Sequence, residues 1–193
     1  MMDQKTVRSI LQNSINNLQG QAFEGYIKAG CEYYRLHGRA SIDKTPEPFR
    51  VTQKHGGGVF TGRFTALAQP DFQGTLNYGK SICFEAKYTA TDRLKQGVVT
   101  DAQAEALICH DKLGAVAAVC AGIDDKFYFV PWNAWREMKL RYGRQYVTAT
   151  DLEPYRVRFT GVVLFLDYVN KAWAEVFGGD YDPREPYKGG GIA

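Results

Sequence analysis

Three charged residues in the middle of the chain have the types and the spacing for chemistry on a phosphate group. In the segment 81–88 (SICFEAKY) every second residue is apolar, which is the period of a β-strand. Glu85 and Lys87 therefore share the opposite face, where two charges are costly to bury unless they meet a cleft, a metal ion or an anion. Asp71, which follows Pro70 upstream of this strand, is the obvious second carboxylate.

Two carboxylates can bind Mg²⁺, a cation that prefers oxygen ligands and keeps several water molecules beside a phosphate substrate. The metal lowers the pKa of a bound water, and a nearby lysine orients that water or neutralises charge on the phosphate. These groups suit hydrolysis of a phosphodiester bond. The residues also fit the PD…(D/E)xK pattern of restriction-endonuclease-like nucleases, but so short a pattern arises by chance as well. The alternative is a turn aspartate and a surface ion pair between Glu85 and Lys87.

Length and composition place the chain among ordinary globular proteins. Its 193 residues, 45% apolar and 23% charged, predict one domain over residues 1–177, followed by a flexible tail over 178–193. No apolar run is long enough for a membrane span, and the N-terminus lacks a signal peptide's apolar stretch, so we expect a cytoplasmic protein with no membrane partner. A net charge of +3 is too small to identify a nucleic-acid partner by itself.

The cysteines predict neither a zinc site nor a redox motif. They lack CxxC spacing, and no histidine lies at zinc-ligand spacing from them. The four residues are Cys31, Cys83, Cys109 and Cys120. We therefore expect free thiols in a reducing compartment.

The first part of the chain is predicted to be helical. Apolar periodicity predicts a short helix over 5–18 that ends near Gly20 and a second helix over 21–37 with Gly38 as its C-cap. Glu24 lies at the edge of the apolar stripe of the second helix. The local explanation for Glu24 is a solvated glutamate in the first turn, where negative charge favours the helix dipole.

The segment 49–70 is predicted to protrude from a sheet. Pro46 and Pro48 cannot donate to a β-ladder, so the strand centred on Ile42 should leave the sheet there. The segment that follows combines cations and phenylalanines around a tip at 56–58 and contains no acidic residue. Such a hairpin can contact phosphates with its cations and bases with its rings. The alternative is a solvated, flexible loop.

The second half of the chain predicts alternating helices and strands. The predicted elements are a polar loop over 89–99, a helix over 100–113, a buried strand over 114–121, an alternating strand over 126–130, a helix over 131–141 and a strand or hairpin over 157–166. Thr100 and Gln103 fit a capping box, which is the structural explanation for Gln103. The order of elements predicts an α/β fold, a mixed β-sheet flanked by helices with the charged strand at its centre.

Several short motifs follow one another in the order found in RecU-type Holliday junction resolvases. They are Phe23-Glu24, Tyr33-Tyr34 with Gly38-Arg-Ala-Ser-Ile42, Lys44 with Pro46 and Pro48, Pro70-Asp71-Phe72-x-Gly74, Phe84-Glu85-Ala86-Lys87, and Gln103 ahead of Leu107. The chain resembles this family over about residues 20–135. A PD turn followed by FEAK, after a proline-bearing arm, is more specific than the bare nuclease pattern. The resemblance implies a restriction-endonuclease-like fold with a protruding stalk over about residues 49–70.

The resemblance also implies a role for each matching residue. The catalytic residues would be Glu24, Asp71, Glu85 and Lys87. The ligands of a Mg²⁺ or Mn²⁺ ion would be Asp71, Glu85 and Gln103. The cationic DNA contacts would be Lys44, Arg50, Lys54, Arg63, Arg93 and Lys95. Family members often have a hydroxyl residue two positions before the motif aspartate, and this chain departs from that pattern with Gln69.

The function implied by the resemblance is resolution of branched DNA in homologous recombination and repair. The enzyme would be a Holliday junction endonuclease that leaves 5′-phosphate ends and acts as a homodimer, because a two-fold dimer presents identical sites to two opposed strands. A recombinase would be a further partner. One alternative is a restriction-like or repair nuclease that acts on duplex, flap or nicked DNA. Another is a DNA-binding or recombinase-regulating module whose carboxylates no longer catalyse.

Overall fold

The computed structural model of the chain, which describes residues 4–46, 49–64 and 69–169, contains one five-stranded sheet, in which four of the predicted strands are joined by a strand at 72–76. The helices are α1 (Gln4–Leu36), α2 (Asp101–Lys112), α3 (Trp132–Arg136), α4 (Met138–Tyr142) and α5 (Ala149–Leu152). The strands are β1 (Ala40–Lys44), β2 (Phe49–Lys54), β3 (Phe60–Phe64), β4 (Phe72–Leu76), β5 (Ser81–Thr89), β6 (Arg93–Lys95), β7 (Val116–Ile123), β8 (Lys126–Pro131), β9 (Tyr146–Thr148), β10 (Arg158–Phe159) and β11 (Val163–Leu164).

The main sheet is mixed and has the strand order β1-β4-β5-β7-β8. β5 and β7 are parallel, so the chain crosses between them through α2, whereas the other three pairings are antiparallel. β5 lies at the centre of the sheet. β1 lies at an edge, which suits a strand followed by prolines. The predicted mixed α/β sheet, with the charged strand at its centre, is confirmed.

The two faces of the sheet bury two separate apolar cores. On one face, α1 and residues 163–169 cover aromatic side chains, and Phe72 stacks on Phe84 with 5.1 Å between the ring centroids. On the other face, α2 and α3 cover the small side chains of β7. Side chains alternate across a strand, so Phe84 packs in the first core while Cys83 packs in the second, as the alternation in the sequence predicts.

α1 is one continuous helix of 33 residues, so the prediction of two helices is wrong. A Cβ added at Gly20 would meet nothing within 4 Å, so no neighbouring segment among the described residues packs close enough to require a glycine at this position. A glycine inside a helix costs only about 1 kcal/mol, which is less than the gain from burying large side chains such as Tyr34 further along α1. The predicted end is confirmed, because Gly38 has φ 62° and the backbone hydrogen bonds of a Schellman motif close the helix there.

Two other predictions need correction. The predicted polar loop over 89–99 contains β6, which pairs with β9 in a separate two-stranded sheet. The predicted helix over 131–141 is divided at Glu137 into α3 and α4. The element predicted over 157–166 is the hairpin β10–β11.

The hairpin β2–β3 forms a two-stranded sheet of its own. Its turn contains three glycines, two of them with positive φ, and the side chains from Val51 to Phe60 are all exposed. The predicted hairpin is thus present. Residues 47–48, 65–68 and 170–193 lie outside the described residues, and the last range contains the predicted tail. No helix in the described ranges combines the length and the apolar character needed to cross a membrane.

Two glycines of α1 should respond to substitution in opposite ways. A Cβ at Gly30 would lie 2.4 Å from the backbone oxygen of Val163, whereas a Cβ at Gly25 would meet nothing within 4 Å. Gly30→Ala should lower the free energy of unfolding by about 1–3 kcal/mol through overpacking. Gly25→Ala should raise it by up to about 1 kcal/mol through helix propensity. Urea unfolding measures both, and equal effects would contradict the close approach of α1 and β11.

Candidate active site

The turn before β4 and the centre of β5 bring two carboxylates together. Phe72 pairs with Phe84 in the antiparallel β4–β5 ladder, so Asp71, one residue before Phe72, lies across from Glu85. The side chain of Asp71 is fixed in this position, because its Oδ2 accepts a hydrogen bond of 2.9 Å from the N–H of Ala86. The backbone of the sheet therefore sets the separation of the two acidic groups.

The ammonium group of Lys87 lies beside both carboxylates. Its Nζ is 3.0 Å from Oε2 of Glu85 and 4.0 Å from Oδ2 of Asp71. Glu85 and Lys87 share a face of β5, as their spacing predicts. The side chain of Lys87 is 17% exposed, so a ligand in solution can reach it. The structure thus brings Asp71, Glu85 and Lys87 into one cluster.

Glu85 is the charged residue that the described part of the chain buries completely, with 0% exposure. Its Oε2 accepts a hydrogen bond from Gln103 and forms an ion pair with Lys87, whereas its Oε1 has no hydrogen-bond partner among the described residues. Burial, with the negative charge of Asp71, raises the pKa of Glu85 to about 7, although Lys87 acts in the opposite direction. Burial thus disfavours the ionised carboxylate, and a cation at Oε1 would favour it.

Gln103 links the start of α2 to this cluster. Its Nε2 donates to Oε2 of Glu85 at 2.5 Å. Its Oε1 accepts from the N–H of Thr100 at 3.1 Å and from the hydroxyl of Thr100 at 3.2 Å, which completes the predicted capping box. The side chain of Gln103 therefore caps the helix and reaches the site at the same time, as the two expectations for it describe.

The donor set fits a hard divalent cation. Asp71 and Glu85 offer carboxylate oxygens, and the buried Oε1 of Glu85 lacks a hydrogen-bond partner among the described residues. In the ranges that the structure describes, no group of three or more His, Cys, Asp or Glu residues could hold a metal ion. With Asp71 and Glu85 as ligands, the other positions around the cation would be taken by water and substrate. Mg²⁺ is usually bound in this way at sites that process phosphates.

Glu24, the fourth residue of the expected catalytic set, has a different partner. It projects from α1 and forms an ion pair with Lys44 at the end of β1. No hydrogen bond or ion pair in the described contacts joins Glu24 to Asp71, Glu85 or Lys87. The pair is connected to the cluster through the backbone, because the N–H of Thr45 donates to the carbonyl of Asp71 at 2.8 Å.

The other cations expected to contact DNA lie on two short ribbons outside the main sheet. Lys54 and Arg63 are exposed on the hairpin β2–β3, where Arg50 is opposite Arg63 in the ladder. Arg93 and Lys95 are exposed on β6. Lys44, by contrast, is half-buried beside Glu24. The hairpin and β6 are therefore two separate ribbons that carry cations, and on β6 the guanidinium of Arg93 is paired with Asp92.

Tyr146 on β9 is a neighbour of these cations that the sequence did not indicate. Its ring centroid is 5.3 Å from the guanidinium carbon of Arg93 and 4.8 Å from that of Arg144. Aromatic rings attract guanidinium groups at such distances. Tyr146 belongs to a three-residue strand, which is too short for its alternation to stand out. The signal in the sequence that could have pointed to Tyr146 was the pair of nearby cations, Arg141 and Arg144.

We predict that Glu85 makes the metal-free protein less stable as the pH rises from about 5 to about 7. The pKa of Glu85 in the folded state, about 7, lies above its ordinary value, so between these values the folded state keeps a proton that the unfolded state releases. Stability then falls with rising pH and levels off above the folded pKa. The measurement is the melting temperature in EDTA. The difference between Glu85→Gln and the native protein should be several degrees more favourable to the variant at pH 8 than at pH 5.

The exposed Glu32 provides the control, because Glu32→Gln should change the melting temperature equally at both pH values. A constant difference between Glu85→Gln and the native protein across the pH range would contradict the raised pKa.

Comparison with known proteins identifies the family. The model of the RecU family, Recombination protein U, matches residues 18–172. Among solved structures, the chain is similar to Hjc, a Holliday junction resolvase from the archaeal hyperthermophile Archaeoglobus fulgidus, with 15% sequence identity and a TM-score of 0.45 over 76% of this chain and 97% of Hjc. Comparison with curated proteins gives no match. The chain belongs to the RecU family of Holliday junction resolvases, which are endonucleases that act in recombination.

Proposed function

We propose that this chain cleaves Holliday junctions by metal-dependent hydrolysis at the cluster of Asp71, Glu85 and Lys87. The observation that carries the proposal is the buried carboxylate of Glu85, whose Oε1 has no hydrogen-bond partner in the part of the chain that the structure describes. Buried polar groups of purely structural ion pairs usually have their hydrogen bonds satisfied. An unsatisfied oxygen beside a second carboxylate and a lysine is instead an arrangement that suits a cation and a phosphate.

The residues of the cluster would divide the work of hydrolysis. Asp71 and Oε1 of Glu85 would hold Mg²⁺ or Mn²⁺, which when bound supplies a water of lowered pKa and a positive charge near the scissile phosphate. Lys87 would contact that phosphate and neutralise the charge that develops on it in the transition state. Departure of the 3′ oxygen would leave a 3′-hydroxyl and a 5′-phosphate. Gln103 would hold Glu85 in place.

Glu24 and Lys44 would form an outer part of the same site. Their ion pair is one residue from the backbone hydrogen bond that fixes Asp71. A DNA phosphate at Lys44 would compete with Glu24 for the ammonium group. The carboxylate of Glu24 could then orient a water molecule towards the cluster, which is the role that the family resemblance implies for it.

The hairpin β2–β3 is our proposed element for recognising the junction. It carries Lys54 and Arg63 on an exposed ribbon, and Phe60 near its tip is 54% exposed. Cations on such a ribbon can follow phosphates, and an exposed ring can contact unstacked bases. A four-way junction has an open centre that accepts such a hairpin, whereas a continuous duplex does not.

We also propose that the active form is a homodimer. Resolution requires cuts on two opposed strands, and a two-fold dimer holds two identical sites at a fixed separation. Binding to a recombinase and a cytoplasmic location remain predictions of the sequence.

Removal of either carboxylate should abolish cleavage without abolishing binding. Asp71→Ala and Glu85→Ala should each lower the single-turnover rate on a synthetic four-way junction in Mg²⁺ by at least about 10²–10³-fold, because each removes a ligand of the cation that would stabilise the transition-state charge. Affinity for the junction, measured by fluorescence anisotropy in EDTA, should stay equal or increase, because negative charge facing phosphates is removed. The exposed Glu32 again offers the control, since Glu32→Ala should leave both measurements unchanged.

Two outcomes would contradict the proposed function. Unchanged cleavage by the carboxylate variants would mean that the protein is a DNA-binding module with no catalytic use for these residues. Joint loss of cleavage and binding would mean that the carboxylates maintain the fold.

The cations of the hairpin should determine the preference for junctions. The double variant Lys54→Ala with Arg63→Ala should weaken binding to the junction and lower the slope of log affinity against log salt concentration by about 2, one for each lost phosphate contact. Binding to a linear duplex of the same sequence should change less. Arg158→Ala is the matched control, because Arg158 is 73% exposed but lies on β10 in an ion pair with Asp167. An equal loss on junction and duplex would favour a duplex nuclease.

A further inference from the structure

The start of α2 is connected to the candidate active site by one side chain. The hydroxyl and the N–H of Thr100 both donate to Oε1 of Gln103, and Nε2 of the same amide donates to Oε2 of Glu85. In an ordinary capping box the third helical residue bonds back to the N-cap and does nothing more. Here the amide oxygen of Gln103 accepts from Thr100, and the amide nitrogen donates to the buried carboxylate of Glu85.

The hydroxyl and N–H of Thr100 fix which end of the amide faces Glu85. If the amide of Gln103 were turned over, its oxygen would face Oε2 of Glu85, and two acceptors would oppose each other. The two donors of Thr100 would lose their acceptor at the same time. One orientation is therefore strongly preferred, and the hydroxyl of Thr100 supplies one of the two hydrogen bonds that select it.

The orientation of Gln103 in turn fixes the carboxylate of Glu85. Nε2 of Gln103 donates to Oε2 of this carboxylate, and Nζ of Lys87 forms an ion pair with the same oxygen. The other oxygen, Oε1, is buried and has no hydrogen-bond partner among the described residues. A partial turn of the carboxylate about its last bond would carry its oxygen away from Gln103 and Lys87, so these two partners hold the plane of the carboxylate.

We propose that Thr100 is a positioning residue of the active site, which acts through Gln103 to keep Oε1 of Glu85 directed at the divalent cation. This inference rests on the proposed function, because it assumes that the cation binds at Glu85. The amide of Gln103 accepts from Thr100 and donates to Glu85, so this side chain links the two residues. Direct binding of the metal by Gln103 stays a prediction of the family resemblance.

The chain contains a matched control for loss of a helix cap. Thr148 caps α5 with a capping box to Asp151, in which both the hydroxyl and the N–H of Thr148 donate to Oδ2 of Asp151, at 2.8 Å and 2.7 Å. Asp151 then bonds Arg144. The residue type and the motif are those of Thr100, but the third residue of this box is joined to an arginine instead of an active-site carboxylate.

The experiment compares Thr100→Val with Thr148→Val in the full-length protein. Mg²⁺ affinity is measured by isothermal titration calorimetry without DNA, and kcat and KM are measured on a four-way junction. Loss of groups that orient metal ligands typically lowers metal affinity 10–100-fold. For Thr100→Val we expect Mg²⁺ affinity to fall about tenfold, at the lower end of this range, because the N–H of residue 100 still donates to Gln103. We also expect a lower kcat with an unchanged KM. Thr148→Val should leave Mg²⁺ affinity and kcat unchanged, and Thr100→Ser should restore both.

Equal Mg²⁺ affinity in the two valine variants would overturn the inference and reduce Thr100 to a helix cap. If Thr100→Val does not fold, Thr100→Gly provides the same test, since glycine is accepted at an N-cap and also lacks the hydroxyl. Failure of the proposed function is a separate result. It would appear as normal Mg²⁺ affinity and cleavage in Glu85→Ala, whatever the Thr100 variants do.

Discussion

The burial of one carboxylate is the constraint on which the rest of this structure depends. Glu85 has no exposed surface, and a buried charge is tolerated only where donors and counter-charges surround it. The fold supplies them from three directions. Lys87 follows on the same strand, Gln103 comes from the helix that crosses to the parallel strand β7, and the β4–β5 ladder fixes Asp71 opposite. A change in any of these elements would leave Glu85 unsupported.

The contrast between the two cores explains why the site can be held so tightly. The face of the sheet under α1 is filled by large rings, in which Phe84 contacts Phe72, Phe129 and Phe165 at centroid distances of 5.0–5.3 Å. The opposite face of β5 bears Cys83, Glu85 and Lys87 and meets the small side chains of β7. Packed rings resist displacement, so they hold the strand from behind while Glu85 and Lys87 project from its other face.

Much of this arrangement could be predicted from local sequence signals. The alternation in β5 assigned Phe84 and Glu85 to opposite faces, and the capping box placed Gln103 in the first turn of α2. Each signal is local, because a strand period or a cap involves only a few consecutive residues. The convergence of Asp71, Glu85, Lys87 and Gln103 required more. It came from the ordered motifs of the family, and the structure places those four side chains in contact.

Features that depend on distant pairing were missed. The strands β6 and β9 each have three residues, and their pairing joins positions more than 50 apart, from Arg93 to Thr148. The partner of Glu24 is Lys44, which comes from another element. Nor did Gly20 end the first helix, because tertiary packing of α1 outweighs the local preference of one glycine. Short-range patterns carry no information about such contacts.

The clustered side chains from Asp71 to Gln103 lie within 33 consecutive residues, in a β-hairpin followed by the start of a helix. Contacts between residues so near in the chain lose little loop-closure entropy. The candidate active site is in this sense a short-range unit, whereas the basic hairpin β2–β3 forms a separate sheet. A change in the length of that hairpin would therefore leave the contacts among Asp71, Glu85, Lys87 and Gln103 in place.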